Sequence, residues 1–181
     1  MSTRTATTAA EFEPLIAAHR GVILKIAASY SRNAEDRADL AQDIALALWR
    51  AWPGYDRARP FATWMYRVAL NVAISQLRRD DGRHGVHESL DERHEALVGA
   101  TDVDAETRER LAIVHAAMRA LSPLDRALLL LHLDGVGHRD SAEVLGTSES
   151  NVATRLGRIR QQLRRTAAAA VTTGADDDGN G

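Results

Sequence analysis

Six aromatic side chains, Trp49, Trp52, Tyr55, Phe61, Trp64 and Tyr66, fall within eighteen residues of this 181-residue chain. Arg50, Arg57, Arg59 and Arg67 are interleaved with them, and Asp56 is the single acid. The remaining Phe, Trp and Tyr residues, Phe12 and Tyr30, also precede residue 67. Rings beside guanidinium groups admit two readings. About half of them are expected to pin a loop between two helices as ordinary core. The others are platforms on which unstacked bases lie while the arginines neutralise phosphates.

A second concentration of chemistry lies near the C-terminus. Arg155, Arg158, Arg160, Arg164 and Arg165 occupy a stretch with no acid after Glu149 until the terminal run Asp176–Asp178. Within it and just upstream, Ala142, Gly146 and Val152 stand at offsets of four and ten. A small residue where two helices approach, a glycine at the turn and a β-branched residue locking the second helix are the marks of a helix-turn-helix. Ser148 is placed to cap the second helix, and Val152, Leu156, Ile159 and Leu163 form its inward stripe. Asn151, Thr154, Arg155 and Arg158 then face outward at the end where a recognition helix meets base edges. Arg160, Arg164 and Arg165 lie further along and fit phosphate contacts, which position without specifying. The plainer alternative is a short packed helical hairpin.

Other chemistries are excluded or unsupported. With no cysteine there are no disulfides, thiolate nucleophiles, zinc knuckles or iron–sulfur clusters. His84, His87 and His94, with Glu88, Asp91 and Glu95, supply metal-binding side chains, but at no standard ligand spacing and in a segment without packed support, so no metal is expected. No nucleophile–base pair or glycine-rich phosphate loop is recognisable; neither catalytic residues nor a cofactor are expected. No apolar run approaches the ~18 residues of a membrane span, and MSTRTATTAA has no signal-peptide core. These features predict a soluble, cytoplasmic protein, and a composition 45% hydrophobic and 27% charged predicts a folded one.

The elements that must position these residues read as helices throughout. Phe12, Leu15, Ile16, Ile23, Ile26 and Tyr30 recur mostly at three- and four-residue steps, with Pro14 suited to a first turn. Asn33 caps a second helix opened by Glu35 and Asp36, with the stripe Leu40, Ile44, Leu48, Trp52, and Pro53-Gly54 stops it. PGYDRARP is a loop. A third helix runs from about Phe61 to Arg79, with Met65, Val68, Ala69, Val72, Ala73 and Leu77 on one face and Trp64, Arg67, Asn71, Ser75 and Arg78 on the other. Leu111, Val114, Met118 and Leu121 mark another helix. Ser122-Pro123 opens the next, buried through Leu124, Ala127, Leu128 and Leu131 and ended by Asp134-Gly135. No segment alternates as a strand does, so the fold class is all-α.

Charge divides the chain. Residues 11–79 carry net +3, residues 80–110 net −6, and residues 118–167 net +3. Two small helical domains joined by an acidic linker follow from this: 11–79, a linker over 80–104 with at most a short helical turn, and 105–167, with 168–181 as a disordered tail that TAAAAV shortens if it prolongs the last helix.

DLAQDIALALWRAW followed by YDRARPFATWMYRVALN resembles region 2 of bacterial RNA polymerase sigma factors of the extracytoplasmic-function (ECF) type. LSPLDRALLLLHLDGVGHRDSAEVLGTSESNVATRLGRIRQQL resembles their region 4, and the two occur in the family's order with no third domain between them. The resemblance implies a sigma factor that binds core RNA polymerase, recognises promoter DNA and promotes strand opening. It implies core-polymerase binding by Asp39, Leu40, Gln42, Asp43, Leu48 and Trp49. The single-stranded minus-10 element falls to Tyr55, Asp56, Arg57, Arg59, Phe61, Trp64, Arg67 and Asn71. The duplex minus-35 element falls to Asn151, Thr154, Arg155, Arg158, Arg160 and Arg164. It implies a linker threading the polymerase cleft and RNA exit path, where its acids suit a basic channel. An anti-sigma factor is a usual partner in the family, though no residue here identifies one.

The chain also departs from the family's pattern. Ser141 stands where a large aliphatic residue is usual, which predicts an underpacked first helix of the motif. Ala153 replaces a basic or polar residue, Gly157 a larger one at a helix-propensity cost of about 1 kcal/mol, and Met65 stands where some relatives carry a second aromatic. A minus-35 preference unlike the common one, and reliance on a well-matched minus-10 element, are expected. The rival reading is a helix-turn-helix regulator that binds duplex DNA without polymerase.

Overall fold

Local signals set the first helices. The Asn33 side chain accepts from the Asp36 backbone N–H at 2.8 Å, which satisfies one of the orphan donors at the start of a helix. The helix runs Ala34–Ala51, and Leu40, Ile44 and Leu48 on its four-residue stripe are buried. It tightens into a 3-10 turn, Trp52–Gly54, as Pro53 forbids continuation. The computed structural model describes residues 2–83, 114 and 116–175, which among themselves form helices, turns and loops with no strand. The all-α reading therefore stands. The chain divides into two compact units, Met1–Ile113 and Val114–Gly181.

In the first unit, α1 (Ser2–Tyr30), α2 (Ala34–Ala51) and α3 (Phe61–Arg83) pack pairwise against one another. Ile23, Ile26, Ala27 and Tyr30 from α1 meet Leu40, Ile44 and Leu48 from α2 and Met65, Ala69, Leu70 and Ala73 from α3 in the core. On α3, Val68, Val72 and Leu77 are only half-buried, whereas Tyr66 and Leu70, outside the expected stripe, are sealed in. α1 starts well before Pro14, which lies inside it rather than in a first turn. Phe12, two residues before Pro14, is 7% exposed and packs against Trp49 and Trp52, which holds this part of α1 in place. α3 likewise runs past Arg79 to Arg83. The expected linker beyond it, with His84, His87 and His94, lies outside the described residues.

In the second unit, residues 116–119 are helical and Met118 and Leu121 are buried, but Val114 is 51% exposed and not core. Leu111 lies outside the described residues. Ser122 caps α4 (Pro123–Leu133), accepting from the Asp125 N–H at 3.2 Å with Pro123 in the first turn. α4 is buried on more than the one expected face: Arg126 through Leu131 are all buried in succession, while Leu124 is only half-buried. Buried Arg126 donates to the Met118 carbonyl at 3.1 Å and the Arg119 carbonyl at 3.0 Å, satisfying the end of the preceding helical turn. Gly135, at φ 75°, closes α4. α5 (His138–Leu145) and α6 (Glu149–Ala175) follow. α6 overruns the boundary at 167, carried by the alanine run that favours helix, so the first part of the expected tail is helical.

Candidate nucleic-acid interface

The loop between α2 and α3 is fastened by its own backbone. Tyr55 donates its hydroxyl to the Arg59 carbonyl at 2.6 Å, and the Asp56 carboxylate accepts from the Ala58 N–H at 3.0 Å. Asp56 also faces Arg59 at 3.7 Å. Asp56 therefore shapes the turn, a role the sequence did not suggest for it.

Around this loop the rings form one cluster. Trp52, 4% exposed, is its floor. Tyr55 stacks on it at 5.2 Å, and Trp64 and Phe61 meet it edge-on at 6.1 and 6.2 Å. Tyr55, Phe61 and Trp64 lie 4.9 to 5.8 Å from one another and are half-buried, with one side of the cluster open. Phe12 closes the opposite side against Trp49 and Trp52. Of the six rings only Trp52 and Tyr66 are core, fewer than the expected half; Tyr55, Phe61 and Trp64 retain accessible surface, and Trp49 is 37% exposed. Arg67 and Asn71 continue from Trp64 along the exposed face of α3. Arg57 lies over the Trp52 ring at 5.7 Å and pairs with Glu11 of α1. Sequence reasoning missed α1 as a wall of this site, including His19, whose ring meets Phe61 at 5.0 Å while its Nδ1 donates to the Leu15 carbonyl. The three- and four-residue steps from Phe12 to His19 were the available signal.

On α2, Asp39, Gln42, Asp43 and Trp49 are exposed and share one face at helical spacing, joined by Leu46, 41% exposed and missed in the sequence. Leu40 and Leu48 do not belong with them. They are 1% and 0% exposed, sealed in the core, where they hold the helix in place.

The second unit carries the helix-turn-helix as α5 and α6. Gly146, at φ 64°, turns the chain between them, and Ser148 accepts from the Asn151 N–H at 3.2 Å. Val152, Leu156 and Ile159 are buried, and Leu163 half-buried. Ser141, expected to leave the first helix of the motif underpacked, is 1% exposed with its hydroxyl donating to the Val136 carbonyl at 3.4 Å. Asn151, Thr154, Arg158, Arg160 and Arg164 are exposed. Asn151 bonds Thr147 at 2.7 Å, Thr154 bonds the Ser150 carbonyl at 2.9 Å, and Arg160 reaches His132 at 3.2 Å. Arg155 is different: it is half-buried and pairs with Asp125 at 2.8 Å.

A helix-turn-helix in one unit and, in the other, rings presented between guanidinium groups define a DNA-binding transcription protein. Sigma-70 region 2 matches residues 15–83, and sigma-70 region 4 matches residues 111–163. The chain is 30% identical over 158 residues to the RNA polymerase sigma factor NccH of Alcaligenes xylosoxydans xylosoxydans, covering 84% of each. It is 26% identical over 154 residues to the ECF sigma factor SigM of Mycobacterium tuberculosis, covering 85% of this chain and 76% of that one. Its fold matches CnrH, solved in complex with the cytosolic domain of CnrY, at a TM-score of 0.67 and 25% identity over 91% of this chain and 94% of that one. It also matches the sigma factor RpoE of Bartonella quintana, solved with the anti-sigma factor NepR, at a TM-score of 0.70 and 21% identity over 87% and 97%.

The chain belongs to the sigma-70 family, as an ECF RNA polymerase sigma factor that recognises promoters. A regulator working without polymerase is not favoured, since it leaves the region 2 match without a role. No helix among the described residues is long and apolar enough to cross a membrane.

Proposed function

We propose that the two units divide promoter recognition between them. The exposed stripe Asp39, Gln42, Asp43, Leu46 and Trp49 of α2 docks on core polymerase. The open side of the ring cluster, Tyr55, Phe61 and Trp64, holds unstacked bases of the minus-10 element, with Arg57, Arg59, Arg67 and Asn71 along the displaced strand. Asn151, Thr154 and Arg158 read the minus-35 duplex, while Arg160 and Arg164 sit on its phosphates.

The observation that carries this reading is the half-open ring cluster. Opening a duplex costs stacking energy, and each base laid on a ring returns about 1–3 kcal/mol. Rings already packed on Trp52 offer that surface without first being ordered. The arginines add an electrostatic hold on the backbone that weakens with salt.

The finer assignments follow the same logic. The chain supplies no chemistry of its own, catalysis belonging to the polymerase, and works in the cytoplasm. Its domains are two helical units, the first ending with α3 at Arg83 and the second carrying α4 to α6, and the acidic segment after α3 threads a basic channel of the enzyme. An anti-sigma factor holds the chain inactive, an inference supported by the likeness to CnrH, a protein solved with CnrY.

Run-off transcription with purified core polymerase on genomic fragments tests the whole reading. Discrete starts that require both proteins are expected. Failure to co-elute with core polymerase, together with no start site, overturns it.

A further inference from the structure

Arg155 occupies an outward position of the recognition helix by sequence, yet its guanidinium turns back toward α4. Its Nε donates to Asp125 Oδ1 at 2.8 Å, and the two side chains are 26% and 27% exposed. Asp125 is itself anchored. Its Oδ2 accepts from the Ser122 hydroxyl at 2.7 Å, and its N–H donates to the same hydroxyl at 3.2 Å. The helix that carries it is buried from Arg126 to Leu131. Arg155 is thus bonded to a group fixed from two sides, whereas Arg158 and Arg164 on the same helix are exposed.

The bond through Nε fixes where the half-buried guanidinium points, and swinging it out to the exposed face that Arg158 and Arg164 occupy would cost that charge-assisted bond. Leaving also uncovers a carboxylate near the DNA-facing end of α6, where it would repel phosphates. Resting on the minus-35 reading of α6, we propose that Arg155 is a positioning residue and not a base reader. Asp125, outside the helix-turn-helix, sets through it the angle at which α6 enters the groove, and so governs base preference at the minus-35 element.

Holoenzymes made from core polymerase and full-length chains select promoters from a library randomised through the minus-35 region. Affinity for the selected duplex is then measured across a salt series. Asp125→Asn keeps oxygen and amide groups for the Ser122 cap but removes the charge, and Arg155→Gln removes the guanidinium. Each is expected to weaken binding about tenfold, with the double variant no weaker than either single one. Both shift the selected sequence alike, and the slope of log affinity against log salt stays that of the wild type, because no phosphate contact is lost. Arg164→Ala, as a control, lowers that slope by about 1.

The proposal is overturned if Arg155→Gln relaxes a single base position or lowers the slope while Asp125→Asn does neither. Thermal unfolding by circular dichroism identifies a variant that fails to fold. Asp125→Glu then takes its place, keeping the charge but lengthening the arm, and is expected to shift the selected sequence. A folded Asp125→Glu chain with unchanged selection overturns the proposal. If the wild type selects no minus-35 sequence at all, the reading of α6 falls and this proposal with it. A selected element indifferent to Asp125 refutes the proposal alone.

Discussion

Trp52 and Tyr55 stack at 5.2 Å with their ring planes 21° apart, so a buried ring supports a half-exposed one. The support is built by the chain reversal at Pro53-Gly54, which places two residues three apart on top of each other. Stability and the proposed DNA contact thereby fall to adjacent rings.

Trp52→Ala should destabilise the first unit by about 3–5 kcal/mol, the cost of emptying a large core site. Tyr55→Ala should cost about 0.5–1.5 kcal/mol in ring pairing and about 0.5–1.5 kcal/mol for the lost hydroxyl bond to the Arg59 carbonyl, and should suppress strand opening. Urea denaturation measures the first effect, and permanganate reactivity of promoter thymines the second.

Trp64→Ala, which removes a half-open ring from α3, is expected to lower run-off transcription from duplex promoters by about tenfold, within the ~1–3 kcal/mol of one base stack. A template already mismatched across the minus-10 element should recover most of that loss. Equal loss on both templates would place Trp64 outside strand opening.

The two glycines of the helix-turn-helix should respond in opposite directions. Gly146 holds φ 64°, so Gly146→Ala strains the turn and destabilises by more than about 1 kcal/mol. Gly157 is exposed within α6, and a methyl group there would meet nothing within 4 Å. Gly157→Ala should stabilise by about 0.5–1 kcal/mol. Thermal unfolding by circular dichroism compares them.

Glu11→Gln removes the carboxylate paired with Arg57. Both side chains are largely exposed, at 45% and 66%, so stability should change by no more than about 1 kcal/mol. Affinity for a single-stranded minus-10 oligonucleotide in holoenzyme should rise, since phosphate no longer competes with Glu11 for the guanidinium. Fluorescence-free filter binding at low and high salt provides the measurement.

What the sequence made legible was local. The Asn33 and Ser148 caps, the Leu40–Ile44–Leu48–Trp52 stripe, and the glycine stops at 135 and 146 all depend on neighbours within about a turn, and each appears as read. What stayed hidden depends on partners far along the chain. Glu11 meets Arg57 across 46 positions and Arg155 meets Asp125 across 30. Arg126 points inward to cap Met118 and Arg119, although its type predicts solvent. The family resemblance implied docking roles for Leu40 and Leu48, and only packing of α1 and α3 shows that they are buried in the core. Helix ends were missed at Ser2, Arg83 and Ala175; Gly82 and Gly174 lie inside the last turns of their helices and do not stop the chain before them.

Trp49, Trp52 and Trp64 all belong to one ring cluster, and the sequence after residue 66 contains no tryptophan or tyrosine. Indole emission excited in this chain is therefore a private signal of the first unit, blind to melting of the helix-turn-helix. Quenching by a bound oligonucleotide would report minus-10 occupancy without any attached dye.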